Sequence, residues 1–365
     1  MIKAKKINQM EPWYGKEEKK AILEYLNSGG WLMEFKKTEE FEKMICDYTG
    51  AKYCSVLQNG TVSLFLALRA FDIKNGDEVI VPDYTMIATP NAVMMTGAKP
   101  VFVDIDESFC LNPDLVSKTI TPKTKAVIHV SINGRAGQIE GLKKLCRDKK
   151  IHLIEDAAQS LGSFHKGKHL GRFGEFGSFS FSVPKIITTG QGGALITDSK
   201  ELYEKVEKLK DFGRVRAGVD LHDAMGWNFK FTDLQAVLGI EQMKKLPERA
   251  KRKKAMLALY SKLLKDVKEV KLIDTSLETS PWFIEILVPD PKALQVYLKE
   301  RGIGSRLFYP AIHLQPIYQT VKGKFPVATS VGNHGLWLPS SSFLKDSDIE
   351  FICKEISDFY GLIKR

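Results

Sequence analysis

FGSFSFSVPKIITTGQGGALIT, residues 176–197, carries one charged side chain, Lys185, in a protein of which 27% is Asp, Glu, Lys or Arg. A surface lysine normally sits among polar residues, whereas this one stands between an aromatic, β-branched run and a Gly-rich run. Two readings fit: a lysine snorkelling out of a strand end, or a buried amine. Burial disfavours the ammonium form, so a buried lysine loses its proton more easily and becomes a usable nucleophile toward carbonyls. The choice between them depends on what the rest of the chain places beside it.

The chain of 365 residues is long enough for one large core and a smaller unit, since single cores stop growing at roughly 250–300 residues. No apolar run approaches the roughly 20 residues that a membrane span needs. The opening MIKAKKINQM is basic and leads into a charged arm or strand with no apolar signal-peptide region, so no membrane partner is expected. Cys46, Cys54, Cys110, Cys146 and Cys353 lie far apart without a CxxC pair. They read as reduced thiols of a cytoplasmic protein, with neither a zinc site nor a disulfide frame. The net charge of +10 could favour polyanions. Its lysines, in GKEEKK, CRDKK and ERAKRKK, are spread along expected helix faces, which favours a solvated surface over a nucleic-acid stripe.

Outside this stretch, KYCSVL, DEVIVPD, KPVFVDI, KAVIHV and IHLIEDAA are short runs rich in Val and Ile. They are too continuously apolar for one-sided strands and predict a mostly parallel sheet covered by helices on both faces, with SFSFS and GALITDS adding strands and an antiparallel edge. Helices are expected from Gly15 to Asn27, with Ile22, Leu23 and Leu26 on one side, and over Thr38–Tyr48, Thr61–Phe71, Met86–Met95 and Ile139–Asp148. From Asp233 to Leu264 apolar residues recur at helical spacing, and Pro247 is expected to kink or divide that helix. It marks a boundary between a large α/β domain with its N-terminal arm, residues 1–246, and a small α+β domain, residues 247–365. PWFIEILV, ALQVYLKERG and a last helix from Asp346 to Leu362 belong to the latter.

Ligands of open α/β sheets collect at the carboxyl ends of the strands. One such end is LQNGTVSL, where a strand passes through Asn59, Gly60 and Thr61 into a helix. Free N–H groups, the dipole and a hydroxyl there suit a phosphate or carboxylate, and an ordinary N-cap turn has the same look. Another is IHLIEDAAQS, whose strand ends in Glu155 and Asp156. Two carboxylates there need a cation, a protonated ring nitrogen or several donors, unless Asp156 caps a following helix. The last is Lys185 before TTGQGG, whose glycines suit either close ligand approach or a hairpin turn. Amine, carboxylate and phosphate cradle are jointly what pyridoxal 5′-phosphate requires.

The same segments, together with SGGWLMEFKKTEEFEKMICDYTGAKYC, GDEVIVPDYTMIAT, TGAKPVFVDID, GWNFKFTDLQAVLG and RLFYPAIHLQPIY in that order, resemble the DegT/DnrJ/EryC1/StrS family of sugar aminotransferases. The resemblance covers nearly the whole chain. It implies a fold-type I pyridoxal-phosphate transferase with a mostly parallel seven-stranded sheet between helices. It further implies that Lys185 carries the cofactor as an imine and moves the catalytic proton, that Asp156 pairs with the pyridine nitrogen, and that Gln159 lies near the ring. Gly60, Thr61 and Ser180 would hold the phosphate, and Asn228 would reach it from a second subunit, implying a homodimer with shared sites. Trp31, Tyr309 and His313 match positions lining the sugar or nucleotide side. Met86 stands where the family usually has a ring-stacking aromatic, and Gln191 where it commonly has an acid. A related dehydratase branch carries histidine in place of the lysine, so Lys185 implies transamination, with L-glutamate as donor. FKFTDLQAVLG and RLFYPAIHLQP are most similar to members that make GDP-perosamine, implying a GDP-linked 4-keto-6-deoxy sugar. UDP- or dTDP-linked keto sugars, a small phosphorylated ketone, a lyase or dehydratase activity and a non-catalytic sugar-nucleotide binder are the alternatives.

Overall fold

Continuous apolar runs can be buried on both faces only inside a covered sheet, and all seven end up in one. In the computed structural model, which describes residues 6–216 and 218–363, they are β1 (Tyr53–Leu57), β2 (Glu78–Pro82), β3 (Lys99–Val103), β4 (Thr124–Val130), β5 (His152–Asp156), β6 (Phe176–Ser180) and β7 (Gly193–Thr197). Their order is β1-β7-β6-β5-β4-β2-β3. From β6 to β3 every pairing is parallel, while β7 runs antiparallel to both neighbours. Residues 1–5 of the expected arm and 364–365 at the far end lie outside the described residues. Within the arm, Ile7 is buried and bridges to Ile303.

The helix Asp233–Leu264 joins two packing regions. Ala236, Ile240, Met243 and Leu246 pack with the large sheet, whereas Met256, Tyr260 and Leu264 pack with a second core. Pro247 does not divide it, because helical backbone continues on both sides. The second core lies on an antiparallel sheet of β8 (Lys271–Leu272), β9 (Ile284–Leu287), β10 (Arg306–Leu307) and β11 (Gly335–Leu338), in the order β8-β9-β11-β10. Helices Pro291–Glu300 and Asp346–Ile363 flank it. This is the α/β sheet with a smaller α+β unit that the sequence predicts.

Charged residues take buried places that composition alone does not point to. In the helix Lys16–Asn27, Leu23 and Leu26 are exposed, and the buried residue is Glu18, which accepts from Lys245 and Gln242 at 2.6 and 2.7 Å. In ERAKRKK, Arg249 and Lys253 are buried and donate to main-chain carbonyls of Trp13, Ile186, Trp282 and Ser340. The helices Pro113–Thr119 and Lys200–Lys210, capped by Asn112 and Ser199, add to those expected. Among the described residues no helix is long and apolar enough to cross a membrane.

Candidate active site

The turn after β1 serves both of the readings its sequence allows. Asn59 is extended, and its side-chain oxygen accepts the Val62 N–H at 3.0 Å, capping the helix Gly60–Ala70. The N–H groups of Gly60 and Thr61 precede any intrahelical acceptor. A Cβ on Gly60 would lie 3.0 Å from Ser180 Cβ, so this turn and the end of β6 meet side by side. Gly193 backs them: a Cβ there would stand 2.5 Å from the Asn59 carbonyl. Gly190, with φ +82°, makes the hairpin turn. Gly60, Thr61 and Ser180 are thus brought together at a helix N-terminus, the environment that favours a phosphate dianion.

Successive residues of a strand face opposite sides, and the two carboxylates of β5 separate accordingly. Glu155 turns into a loop and accepts the N–H groups of Gly171, Phe173 and Gly174 at 2.7, 2.5 and 2.8 Å. It is consumed structurally. Asp156 is followed by a turn, not a helix, so the capping reading falls. It accepts the Thr89 hydroxyl at 2.7 Å and the Ala158 N–H at 3.2 Å. Burial pushes its carboxyl above the ordinary range, opposed by these donors and by Lys185. Thr89, which the sequence did not single out, is itself fully buried and lies 2.9 Å from the Thr85 hydroxyl. Gln159 is buried, its oxygen accepting the Asn133 N–H at 2.7 Å.

Lys185 lies in the loop between β6 and β7. The residue is half-buried, but its amine is desolvated, which lowers its pKa to about 8, with Asp156 pulling the other way. The Nζ atom is 4.1 Å from the centre of the Trp282 ring and makes no hydrogen bond or ion pair among the described residues. The snorkelling alternative therefore does not describe this lysine. Tyr309 lies close enough to Asp156 to feel its charge: burial, with a contribution from Asp156, raises its phenol to about 12. Its ring packs on Trp337 at 4.7 Å.

The remaining expected residues are placed differently. His313 is tied to Asp83, its ring Nδ1 2.5 Å from one carboxylate oxygen and its N–H 2.9 Å from the other. Asp83 is pushed up to about 6 by burial. Trp31 is 61% exposed, next to Phe35. Asn228 is exposed, and its carbonyl accepts the Gln58 amide at 3.2 Å. Met86 is exposed, whereas Tyr84 is buried in the core among Phe109, Phe308 and Tyr309. The Gln191 carbonyl accepts from Thr189 and Gln235 at 2.6 and 2.8 Å.

An unpaired desolvated amine, a buried carboxylate and a helix start backed by Ser180 fit a phosphorylated pyridine aldehyde. Lys185 can meet the aldehyde, Asp156 the ring nitrogen, and the Gly60–Thr61 turn with Ser180 the phosphate.

Known proteins match most of this chain. A sequence profile of the DegT/DnrJ/EryC1/StrS aminotransferase family matches residues 12–357. GDP-perosamine synthase of Escherichia coli O157:H7 is 33% identical over 350 residues, covering 94% of this chain and 96% of that protein. The dTDP-4-dehydro-2,3,6-trideoxy-D-glucose 4-aminotransferase of Saccharopolyspora spinosa is 32% identical over 370 residues, covering 96% and 95%. A Streptococcus pneumoniae protein described as a sugar aminotransferase, solved in its PLP form, superposes with a TM-score of 0.93 at 25% identity, covering 98% of this chain and 100% of that one.

Proposed function

Since the chain belongs to the DegT/DnrJ/EryC1/StrS aminotransferase family, we propose that it holds pyridoxal phosphate on Lys185 and moves an amino group from L-glutamate to a nucleotide-linked 4-keto-6-deoxy sugar. The observation that carries this reading is the unpaired Lys185 amine, lowered to about 8 by burial and facing Asp156. At pH 7 an amine of pKa 8 is neutral in about one molecule in ten, against about one in three thousand at an ordinary 10.5. When bound, the cofactor supplies an aldehyde for amine exchange and a ring that withdraws electrons.

The chain supplies the rest. Asp156, its charge held by Thr89 and the Ala158 N–H, keeps a proton at the pyridine nitrogen. Lys185, once free, would take the proton from the donor's Cα through Nζ and give it up again within the same half-reaction, and would run that transfer in reverse for the acceptor, as a base near neutrality does best. Gly60, Thr61 and Ser180 bind the phosphate, and Gln159 faces the ring. The enzyme works as a cytoplasmic homodimer in which Asn228 of one subunit completes the other's phosphate site. Its exposed position, like that of Trp31, Leu23 and Leu26, suits such a partner contact. Trp31, Tyr309 and His313 line the sugar-nucleotide side, His313 held by Asp83. Similarity to a GDP-perosamine synthase favours a GDP-linked sugar, with dTDP-linked acceptors as the second reading, favoured by the Saccharopolyspora relative.

The test is a half-reaction. Protein loaded with pyridoxal phosphate and given L-glutamate should form one equivalent of 2-oxoglutarate per site, and then aminate GDP-4-keto-6-deoxymannose before its dTDP counterpart. Release of ammonia, or unchanged turnover in Lys185→Ala, sinks the reading.

A further inference from the structure

We infer that Trp282 is a further residue of this active site: its indole face is the seat of the Lys185 amine whenever that amine is not bonded to the cofactor. The inference rests on the reading of Lys185 as the cofactor lysine. Trp282 lies outside the large sheet, just before β9, and reaches across to the loop that bears the lysine. Its indole N–H donates to the Pro184 carbonyl at 2.6 Å while its ring centre stands 4.1 Å from Lys185 Nζ. One side chain therefore grips both the backbone preceding the lysine and the amine itself. The ring is 4% exposed and cannot swing away, because Phe283 stacks on it at 3.9 Å and Trp337 meets it edge-on at 5.8 Å. The main chain is pinned as well, since the Trp282 carbonyl accepts Lys253 Nζ at 2.8 Å.

An aromatic face attracts an ammonium and offers little to a neutral amine. Burial expels the proton from Lys185, while the indole face and the Asp156 carboxylate retain it. Other charged groups nearby have partners of their own: Lys253 donates to the Trp282 and Ser340 carbonyls, Arg249 to the Ile186 and Trp13 carbonyls, and the Tyr309 phenol, raised by burial, stays neutral. Trp282 thus holds the lysine between base and acid, which a residue that accepts and returns one proton per half-reaction needs.

The experiment measures the lysine directly. The full-length apoprotein is acetylated with trace acetic anhydride across a pH series, and the Lys185 peptide is followed by mass spectrometry to give the apparent pKa of its amine. Trp282→Leu and Trp282→Met remove the face, and the apparent pKa should fall by about one unit; Trp282→Phe keeps a weaker face and should move it by less than about half a unit. No change, or a rise, in a folded ringless variant overturns the inference. If neither ringless variant folds, Trp282→Phe and Trp282→Tyr decide, and a shift of about one unit or more in either is the overturning result. Borohydride reduction of the cofactor-loaded wild type separates the two claims. A cofactor fixed anywhere but on Lys185 sinks the function, whereas a cofactor on Lys185 with a Trp282-independent titration sinks only this inference.

Discussion

Replacing Thr89 with valine removes one hydroxyl and little volume from a fully buried position, and its effect can be worked from the contacts of Asp156. The Thr89 hydroxyl donates to Asp156 at 2.7 Å, leaving the longer Ala158 N–H bond at 3.2 Å as the carboxylate's remaining donor. A hydrogen bond to a charged group is worth about 1.5–3 kcal/mol, so the Asp156 carboxyl, already raised by burial, should be pushed further up when that donor is lost. A carboxyl whose folded pKa exceeds its unfolded value stabilises the fold below the unfolded value and loses that contribution as pH rises through the folded one. The variant's deficit should therefore be small in acid and reach about 1.5–3 kcal/mol near pH 8. With an unfolding entropy of about 2.1 cal/mol/K per residue over 365 residues, that is roughly 2–4 °C in Tm. Thermal unfolding of the apoprotein at acid and alkaline pH reads it, and cofactor affinity should weaken roughly four- to twelvefold if half of that energy is lost to the bound ring. Thr89→Ser, which keeps the hydroxyl, should recover both. A deficit independent of pH, or no recovery in Thr89→Ser, would refute the idea that this hydroxyl holds the charge of Asp156.

Other perturbations test the cradle and a buried charge cluster. Gly193→Ala sets a Cβ 2.5 Å from the Asn59 backbone, which cannot yield, whereas Gly60→Ala meets Ser180 Cβ at 3.0 Å. Gly193→Ala should therefore abolish cofactor binding, and Gly60→Ala should weaken it about tenfold, a difference equilibrium dialysis can resolve. Lys210 is buried within 2.9, 3.2 and 3.8 Å of Glu207, Glu34 and Glu42, so Lys210→Met should cost about 3–5 kcal/mol by leaving carboxylates unpaired, seen in urea unfolding. Burial pushes Glu42 up to about 8, so wild-type stability should decline as pH rises through that value. Glu42→Gln should flatten this decline by a few kcal/mol between pH 5 and pH 9.

Much of this protein was legible in the order of its residues. Val- and Ile-rich runs of strand length can be satisfied only inside a covered parallel sheet, and β1 to β7 form where those runs lie. An uncharged setting announced Lys185, a polar end to an apolar strand announced Asp156, and Asn-Gly-Thr announced a helix start, because each signal is local. Whatever depends on contacts between distant segments was settled by the folded chain. Glu155 and Asp156 are adjacent carboxylates in sequence, yet the pleat sends one to the 171–174 loop and the other to Thr89. Pro247 looked like a break, and packing on two cores carries the helix through it. Lys253, in a run that read as solvated, is buried because its carbonyl partners arrive from remote elements. Trp282 stands almost a hundred residues from Lys185 along the chain, and only the approach of the second sheet to the loop after β6 lays its ring beneath the amine. Burial and periodicity are written in neighbouring residues, whereas the partner of a charge is chosen by which surfaces the fold brings together.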